Sequence, residues 1–354
     1  MLETLAYGFS DVLENPMKKI PSLENTEWLA RLSETRSSLS NTLYAMYSSL
    51  TGGITVDPAM MSIPADDHLP QRGDGVFESL KCLNGKLYNA AAHLDRLELS
   101  CKGIGMKLPC PQAELIELIC ATIRAGGKRD CLIRVLVSRG TENMGIDPAL
   151  CKGPALYIVV YRYTARLENG KLKPARAALS RVPIKPPEFA TIKTCNYLPN
   201  VLMKLEANQR GLDFVISVDP NGNLGEGATE NIGILTPENE LLMPTPDFVL
   251  SGTTARRILD LARSLVADGS LKAAEYRNIT STQAAQAKEI LIFGTTTDVT
   301  SVIEWEGLPV GDGTPGPVAE KLLTLLKNDM TPESETLTEV FKTTGDGDQK
   351  AGGR

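Results

Sequence analysis

The feature that most constrains the fold is a connector in the middle of the chain, residues 164–189, with the sequence TARLENGKLKPARAALSRVPIKPPEF. It is rich in proline, lysine and glycine, and proline and glycine interrupt regular helices and strands. The chain divides within this connector, and the two resulting segments, residues 51–175 and 176–330, each alternate strand patterns with helix patterns. With 354 residues the chain is long enough for two domains of ordinary size. We therefore predict two α/β units with a ligand-binding cleft between them.

The first unit is predicted from one hairpin, two helices and two further strands. GVFESLKCLNGKLYN alternates around Asn84 and Gly85, a dipeptide typical of tight hairpin turns. In AAHLDRLELSCKGIGM, Leu94, Leu97 and Cys101 fall on one helical face, and PQAELIELICATIRAGG begins with proline and ends with glycines, as many helices do. CLIRVLVSRG and ALYIVVYRY are β-rich runs of strand length.

The second unit repeats this mixture with different elements. YLPNVLMKLEANQRG predicts a helix closed by Gly211, and TTARRILDLARSLVADG predicts an amphipathic helix. FVISVDPNGNLGEG predicts a hairpin around Pro220, Asn221 and Gly222. EILIFGTTTDVTSVIEW predicts a buried strand that runs into a threonine-rich loop and out again. The predicted fold class is therefore α/β (α+β) in both units.

The two ends of the chain lack such patterns. Residues 1–50 are polar and helix-prone, and we predict an N-terminal extension. Residues 331–354 are acid-rich and have no burial pattern, which predicts a mobile tail.

Composition excludes several classes of protein. The net charge is −6, from 37 basic and 43 acidic residues that form no long blocks, so a nucleic-acid surface is not expected. No apolar run has the length of a membrane span, and no basic segment precedes an apolar one at the start, so we predict neither a membrane anchor nor a targeting peptide. The seven cysteines are scattered, which indicates a reducing compartment, and the cytoplasm is predicted.

The two histidines, His68 and His93, support neither a transition-metal site nor a serine nucleophile. GDGTPG at residues 311–316 matches a dinucleotide-binding glycine pattern, but the chain nearly ends there and no βαβ unit can follow. We predict a turn before a last helix that begins at Pro317.

Lys193 is the residue that first indicates a catalytic function. In ATIKTCNY it lies among small and apolar residues, with no acidic neighbour for several positions. Taken alone, it is typical of a lysine whose stem packs while its amine reaches water. Three other features change that interpretation: Glu226 lies between glycines in GEGATEN, and SGTT and GTTT supply N–H and hydroxyl donors for an anion. A lysine, an acid and two anion-binding loops together suit pyridoxal 5′-phosphate (PLP).

Several motifs resemble the class IV aminotransferase family, whose members bind PLP in the fold-type IV arrangement. They are TIKTCNYLPNVLMKLEA, GEGATENIGI, VLSGTTARRIL and IFGTTTDVTSVIEWEG, and the resemblance extends from about Ala45 to Met330. The family includes branched-chain and D-amino acid aminotransferases and aminodeoxychorismate lyase. AMYSSLTGGITVDPAMMSIPADDHLPQRGDGVF and DFVLSGTTARRILDLA look especially like the plant D-amino-acid transaminase branch.

The resemblance implies a role for each matching residue. Lys193 would bind the cofactor covalently and move protons, and Glu226 would pair with the pyridine nitrogen. Tyr197 would lie beside the phenolic oxygen, at an offset from the lysine that differs by one from branched-chain enzymes. The phosphate would be held by a set of cationic, hydroxyl and N–H groups from Arg96, Thr253, Thr254, Thr295 and Thr296. The substrate would contact Phe77, Arg134 and the turn of Thr296 and Thr297.

The implied reaction is ping-pong transamination between an amino acid and a 2-oxo acid, in a homodimer whose sites are completed by a partner loop. D-amino acids such as D-alanine are the preferred substrates on overall similarity. The loop SRGTENMGIDP has Arg139 but lacks the Arg-x-His pair of dedicated bacterial D-amino acid aminotransferases, and NMGIDP looks more like the branched-chain loop. Branched-chain L-transamination, the lyase reaction and a PLP-binding protein without activity remain alternatives.

Overall fold

The structure is a computed structural model, and it describes residues 20–168, 171–331 and 334–341. In chain order its strands are β1 Leu43–Ser48, β2 Gly53–Thr55, β3 Gly75–Leu83, β4 Lys86–Tyr88, β5 Cys131–Ser138, β6 Ala155–Arg162, β7 Leu167–Glu168, β8 Lys171–Leu172, β9 Ala175–Leu179, β10 Phe214–Ile216, β11 Asn231–Leu235, β12 Glu240–Met243, β13 Ala273–Tyr276, β14 Glu289–Gly294, β15 Asp298–Trp305, β16 Leu308–Pro309 and β17 Leu337–Glu339. The α-helices are α1 Asn25–Arg36, α2 His68–Arg72, α3 Ala90–Gly103, α4 Gln112–Gly126, α5 Pro187–Ala190, α6 Leu198–Gln209, α7 Thr253–Ala267, α8 Ser281–Ala285 and α9 Pro317–Asn328.

The first sheet is antiparallel throughout, in the order β17-β4-β3-β5-β6-β1-β2. The predicted hairpin joins β3 to β4, and both Asn84 and Gly85 have positive φ, the conformation that this turn requires. Helices α3 and α4 cover one face and bury aliphatic side chains such as Leu97 and Ile119. Helix α4 ends at Gly127, whose φ of 66° gives the left-handed cap that glycine adopts without strain.

The second sheet is mixed, in the order β10-β9-β15-β14-β11-β12-β13, with β16 on the side of β15. Helices α7 and α9 pack on it through apolar residues that include Ile258, Ala262 and Leu322. The predicted strand, threonine loop and return strand are β14 and β15, and Pro317 starts α9 as predicted. Two sheets with helices packed on them confirm the predicted α/β fold class.

The connector is more than a linker. Its residues Ala175–Leu179 form β9, which lies inside the second sheet between β10 and β15. Alanines at this strand are fully buried, so a segment that looks irregular in sequence is part of a core.

Two predictions about the chain ends are wrong in part. Strand β1, inside the predicted extension, pairs with both β6 and β2 in the first sheet, and Ala45 is fully buried there. The tail was predicted to be mobile from residue 331, but β17 pairs with β4 and Val340 is fully buried. Residues 1–19 and 342–354 lie outside the described residues. Within the described ranges, no helix is both long and apolar enough to cross a membrane.

Candidate active site

One cavity of about 260 Å³ brings together residues from both sheets and from the segment between α5 and α6. All but one of the predicted site residues line it, namely Phe77, Arg96, Arg134, Lys193, Tyr197, Glu226, Thr253, Thr254, Thr295 and Thr296. The exception is Thr297, whose buried hydroxyl has no hydrogen-bond partner among the described residues.

Backbone pairing fixes the position of Lys193. Its carbonyl accepts from the N–H of Phe77 at 3.0 Å, and the Cys195 N–H donates to Gly75 at 2.8 Å. Its own N–H donates to the hydroxyl of Ser100 on α3 at 3.2 Å. The short segment before α6 is thus attached to β3, so the lysine has little freedom in where its side chain begins.

The amine of Lys193 is buried between two rings. Its Nζ lies 3.4 Å from the hydroxyl of Tyr197 and 4.6 Å from the ring centre of Phe77, and these two rings meet edge to face. No carboxylate in the described ranges lies within ion-pair distance of this amine. Burial and the nearby Arg96 lower its pKa to about 8, so a free amine is accessible near neutral pH.

Glu226 occupies the other side of the cavity, in a stretch that follows β10. Its Oε2 accepts from the Leu250 N–H at 2.9 Å, and its Oε1 lies 3.5 Å from Nζ of Lys185. Burial raises the pKa of Glu226, and Lys185 opposes that shift. A Cβ at the preceding Gly225 would lie 2.5 Å from Ile184, so glycine permits the close approach that buries this carboxylate.

The N-terminus of α7 forms one end of the cavity. Its N-cap is Gly252, so no side chain caps the N–H groups of Thr253 and Thr254. A Cβ at Gly252 would lie 1.8 Å from Oδ1 of Asn231, so only glycine fits there. A 15-residue helix with uncapped N–H groups facing a cavity suits an anion such as a phosphate.

Arg96 faces the cavity from α3 and is held from behind by Glu78. Its Nε and one terminal nitrogen donate to the two oxygens of Glu78 at 2.7 and 2.8 Å, and Nη1 donates to the Ser251 carbonyl at 3.0 Å. Burial alone would raise the pKa of Glu78, but Arg96 and His93 hold it well below its usual range. Glu78 thus remains ionised, and its two oxygens hold the plane of the Arg96 guanidinium.

His93 extends this arrangement to α7. Its Nδ1 lies 2.7 Å from Glu78, and its Nε2 lies 3.2 Å from the hydroxyl of Thr253. Burial lowers the pKa of His93, so the ring is neutral. An ionised Glu78 can only accept, so Nδ1–H donates to it and Nε2 accepts from Thr253. His93 and Arg96 lie three positions apart on α3 and share Glu78 as a partner, which the sequence did not predict.

The threonine turn between β14 and β15 completes the cavity wall. Thr295 and Thr296 line the cavity, while the Thr297 carbonyl accepts from the hydroxyl of Thr300 at 2.7 Å. A Cβ at Gly294 would lie 2.7 Å from Oγ1 of Thr297, so that hydroxyl packs back on the turn.

The opposite wall carries Arg134. Its guanidinium lies 4.6 Å from the ring centre of Phe77, and its buried Nε has no hydrogen-bond partner among the described residues. Arg139 does not line the cavity, because it forms an ion pair with Asp74 at 3.0 Å.

Sequence reasoning missed three contributors. Lys185 lies in the connector, eight positions before Lys193, and only tertiary packing brings it to Glu226. Glu78 follows Phe77 directly, and its charge within an apolar strand was the one signal that could have identified it. Asn200 also lines the cavity, and its side-chain amide donates to the Ala228 carbonyl.

Comparison with known proteins identifies the family. Residues 75–305, well over half of the chain, match the family model described as amino-transferase class IV. The chain belongs to the class IV aminotransferase family.

Individual relatives agree with this. The chloroplastic D-amino-acid transaminase of Arabidopsis thaliana is 39% identical over 289 residues, which cover 81% of this chain and 76% of that protein. A branched-chain-amino-acid aminotransferase of Pseudomonas aeruginosa is 29% identical, over 72% of this chain and 83% of its own length. The crystal structure of a T.th. branched-chain amino acid aminotransferase with pyridoxamine 5′-phosphate superposes with a TM-score of 0.77 at 25% identity, and the match covers 84% of this chain and 99% of that one.

The predicted fold-type IV architecture, the aminotransferase activity and the cofactor are therefore confirmed: this class IV aminotransferase is a PLP-dependent enzyme. The cavity fits the cofactor on its own chemistry. It offers a buried amine at Lys193, a buried carboxylate at Glu226, and the uncapped N-terminus of α7 at Gly252. These three groups suit an aldehyde, a ring nitrogen and a phosphate, respectively.

Proposed function

We propose that this enzyme transfers amino groups from D-amino acids, of which D-alanine is the model substrate, to 2-oxo acids. The observation that carries the catalytic part of the proposal is the buried amine of Lys193, which has a pKa of about 8 and no carboxylate at ion-pair distance among the described residues. When bound, PLP supplies a ring that accepts the electron pair left on the substrate Cα. All other roles in the reaction are assigned to the side chains of the cavity.

Lys193 is proposed as the catalytic acid and base. Its Nζ would bind the cofactor, and once displaced by substrate it would carry the proton taken from Cα. A pKa near 8 supports this, because an amine that titrates near the working pH can both accept and return a proton. The Tyr197 hydroxyl at 3.4 Å would orient that amine.

Glu226 would bind the pyridine nitrogen, since its carboxylate has one N–H donor and one distant ammonium and retains room for another donor. Arg96 would contact the phosphate with the N–H groups that Glu78 and Ser251 leave unused. The remaining phosphate donors would be the N–H groups of Thr253 and Thr296 and the hydroxyls of Thr254 and Thr295.

The substrate would lie between Phe77, Arg134 and the turn of Thr296. The unpartnered Nε of Arg134 supports a carboxylate contact, since a buried guanidinium nitrogen without a partner favours an acceptor. The turn of Thr296 would bind the same carboxylate, and Thr297, which does not line the cavity, would contribute by closing that turn.

The preference for D-amino acids is supported by the 39% identity to the Arabidopsis transaminase. Branched-chain L-amino acids are the second candidate, favoured by the structural likeness to the T.th. branched-chain enzyme.

A coupled assay separates these substrates. Purified holoenzyme is incubated with 2-oxoglutarate and either D-alanine, L-leucine or aminodeoxychorismate, and oxo-acid and glutamate are measured. We expect pyruvate and glutamate from D-alanine at a rate at least about tenfold above that from L-leucine. Faster turnover of L-leucine would assign the branched-chain activity. Pyruvate from aminodeoxychorismate without glutamate would assign the lyase, and no product from any donor would indicate a cofactor-binding protein.

We also propose a homodimer. Helix α6 exposes an apolar face that includes Leu198 and Val201, and the loop after β5 exposes Met144 and Ile146. Exposed apolar patches of this kind mark interaction surfaces. Sedimentation velocity on the holoenzyme tests this, and a monomer at micromolar concentration would contradict it.

The cytoplasm remains the proposed compartment on the sequence argument, although the Arabidopsis relative is named as chloroplastic. Fractionation of the source cells measures it. The division near residue 175 is likewise proposed, supported by the start of the second sheet at β9.

A further inference from the structure

Lys81 is a buried lysine outside the cavity. Its side chain is 1% exposed, and its Nζ donates to the carboxylate of Asp298. The ring centre of Tyr163 lies 5.7 Å from the same nitrogen. A lysine is almost never fully buried unless it is paired, so the contact with Asp298 is what makes this position tolerable.

Lys81 shares a strand face with cavity residues. Successive side chains of a strand alternate between its two faces, so Phe77, Ser79 and Lys81 of β3 point the same way. Phe77 and Ser79 line the cavity, and Lys81 is the next residue along that face. It does not line the cavity itself, so any effect on the reaction must pass through its partner.

Asp298 ends the threonine turn. It is the first residue of β15, pairs with Gly294 across the hairpin, and has a φ of 50°. A three-residue hairpin loop closed by a left-handed residue is a common turn, but glycine is the usual residue at that position. An L-residue with a side chain is disfavoured there, and Asp and Asn are the better tolerated exceptions.

The ion pair therefore joins two walls of the cavity. One partner belongs to the strand that carries Phe77, and the other closes the turn that carries Thr295 and Thr296. The two residues are 217 positions apart in the chain, so the contact connects the first sheet to the second.

We propose that Lys81 and Asp298 are a positioning pair for substrate carboxylate binding. The pair holds the left-handed residue at the end of the turn, and so sets the direction in which Thr295 and Thr296 present their N–H and hydroxyl groups to the cavity. The inference rests on the proposed function, in which the turn of Thr296 binds the carboxylate of the amino acid and of the 2-oxo acid.

A simpler role for the pair is stabilisation alone. Removing one partner of a buried ion pair leaves an unpaired charge and destabilises the fold by itself, so a single substitution cannot separate the two roles. The double variant K81M/D298N removes both charges together. Methionine keeps the volume of the lysine stem, and asparagine, like aspartate, tolerates a positive φ.

The experiment measures carboxylate binding, turnover and local opening on the same holoenzymes. Propionate, which is alanine without its amino group, serves as the competitive probe of the carboxylate site. In K81M/D298N we expect its inhibition constant and the KM of both substrates to rise about tenfold, while kcat falls less than about threefold. Amide hydrogen exchange at residues 295–298 should become faster. The K81R variant, which keeps the charge, should stay near native.

The matched control is R257M/D329N, which removes a second ion pair away from the cavity, in which Asp329 is buried and the Arg257 side chain is 31% exposed. It should lower the melting temperature without changing propionate inhibition. Unchanged propionate inhibition and unchanged exchange in K81M/D298N would overturn the proposal, as would an equal loss of binding in the control.

Failure of the proposed function has a different signature. If native holoenzyme transfers no amino group from any donor, that function is wrong. The exchange measurement needs no activity, so it still decides whether the pair holds the turn.

Discussion

Glu226 and Glu78 are two buried carboxylates, one lining the cavity and one behind Arg96, and their pKa values move in opposite directions. Glu78 receives two hydrogen bonds from Arg96 and one from His93, and these contacts hold its pKa far below the usual range in spite of burial. Glu226 has one backbone donor and an ammonium at 3.5 Å, and burial raises its pKa.

The difference separates a structural charge from a reactive one. Three donors occupy most of the acceptor sites of Glu78, so its function is to hold Arg96 at the cavity and His93 against α7. Glu226 has few hydrogen-bond partners. A further cationic donor, such as a protonated ring nitrogen, would therefore stabilise its ionised form. Lys193 interacts electrostatically with both carboxylates, which raise its pKa, but burial and Arg96 lower that pKa more.

The largest effect is expected at Lys193, whose pKa both carboxylates raise. Lys193→Ala removes the only group proposed to move the proton, so kcat should fall by at least about 1000-fold. Borohydride reduction should add the mass of the cofactor to the native Lys193 peptide and leave the variant unlabelled. Lys321→Ala, at an exposed position on α9, is the control and should keep native turnover. Near-native activity of Lys193→Ala would refute the assignment.

The second prediction tests the opposite pKa shifts through stability of the apoenzyme. Because the pKa of Glu78 is depressed in the folded state, its stabilisation is present above the ordinary carboxylate pKa and is lost as pH falls. Glu78→Gln should therefore lower the free energy of unfolding by about 3–5 kcal/mol at pH 7, and by less in acid. Urea denaturation at a series of pH values measures this.

Glu226→Gln should show the reverse dependence. Its folded pKa is raised, so the ionised carboxylate costs stability as pH rises above the ordinary value. The variant apoenzyme should be at least as stable as native at pH 7, and the difference should vanish in acid. Two variants with the same pH dependence would contradict the contrast between the carboxylates.

The smallest effect concerns the pH at which Lys193 becomes reactive. Below its pKa of about 8 the amine is protonated, so capture of added PLP by apoenzyme should speed up about tenfold per pH unit until that pH and then level off. Glu226→Gln should move the midpoint lower, because the Glu226 charge raises the pKa of Lys193. Stopped-flow absorbance measures the rate, and a midpoint above about 10, the ordinary range of a lysine, would argue against a buried, cation-facing amine.

Local patterns predicted the elements whose signals are contained in their own residues. The Asn84-Gly85 turn, the glycine end of α4 and the apolar face of α7 each depend on neighbours within a few positions. Strand β9 and strand β17 were missed, because a short alanine-rich or polar segment becomes a strand only when a partner strand is already beside it.

The residues of the active site also fall into two groups, those that the sequence indicates and those that only the fold reveals. Glycines beside Glu226, hydroxyls at the start of α7 and the isolated Lys193 are visible in the sequence, since their residue types suit one cofactor whatever the distances between them. The order of amino acids alone therefore specifies which reactive groups the chain possesses. Folding in three dimensions is needed to establish which groups support them: Glu78 behind Arg96, Lys185 beside Glu226, and Lys81 against the end of the threonine turn. Burial and charge pairing depend on residues far apart in the chain, so no local pattern could have revealed these contacts.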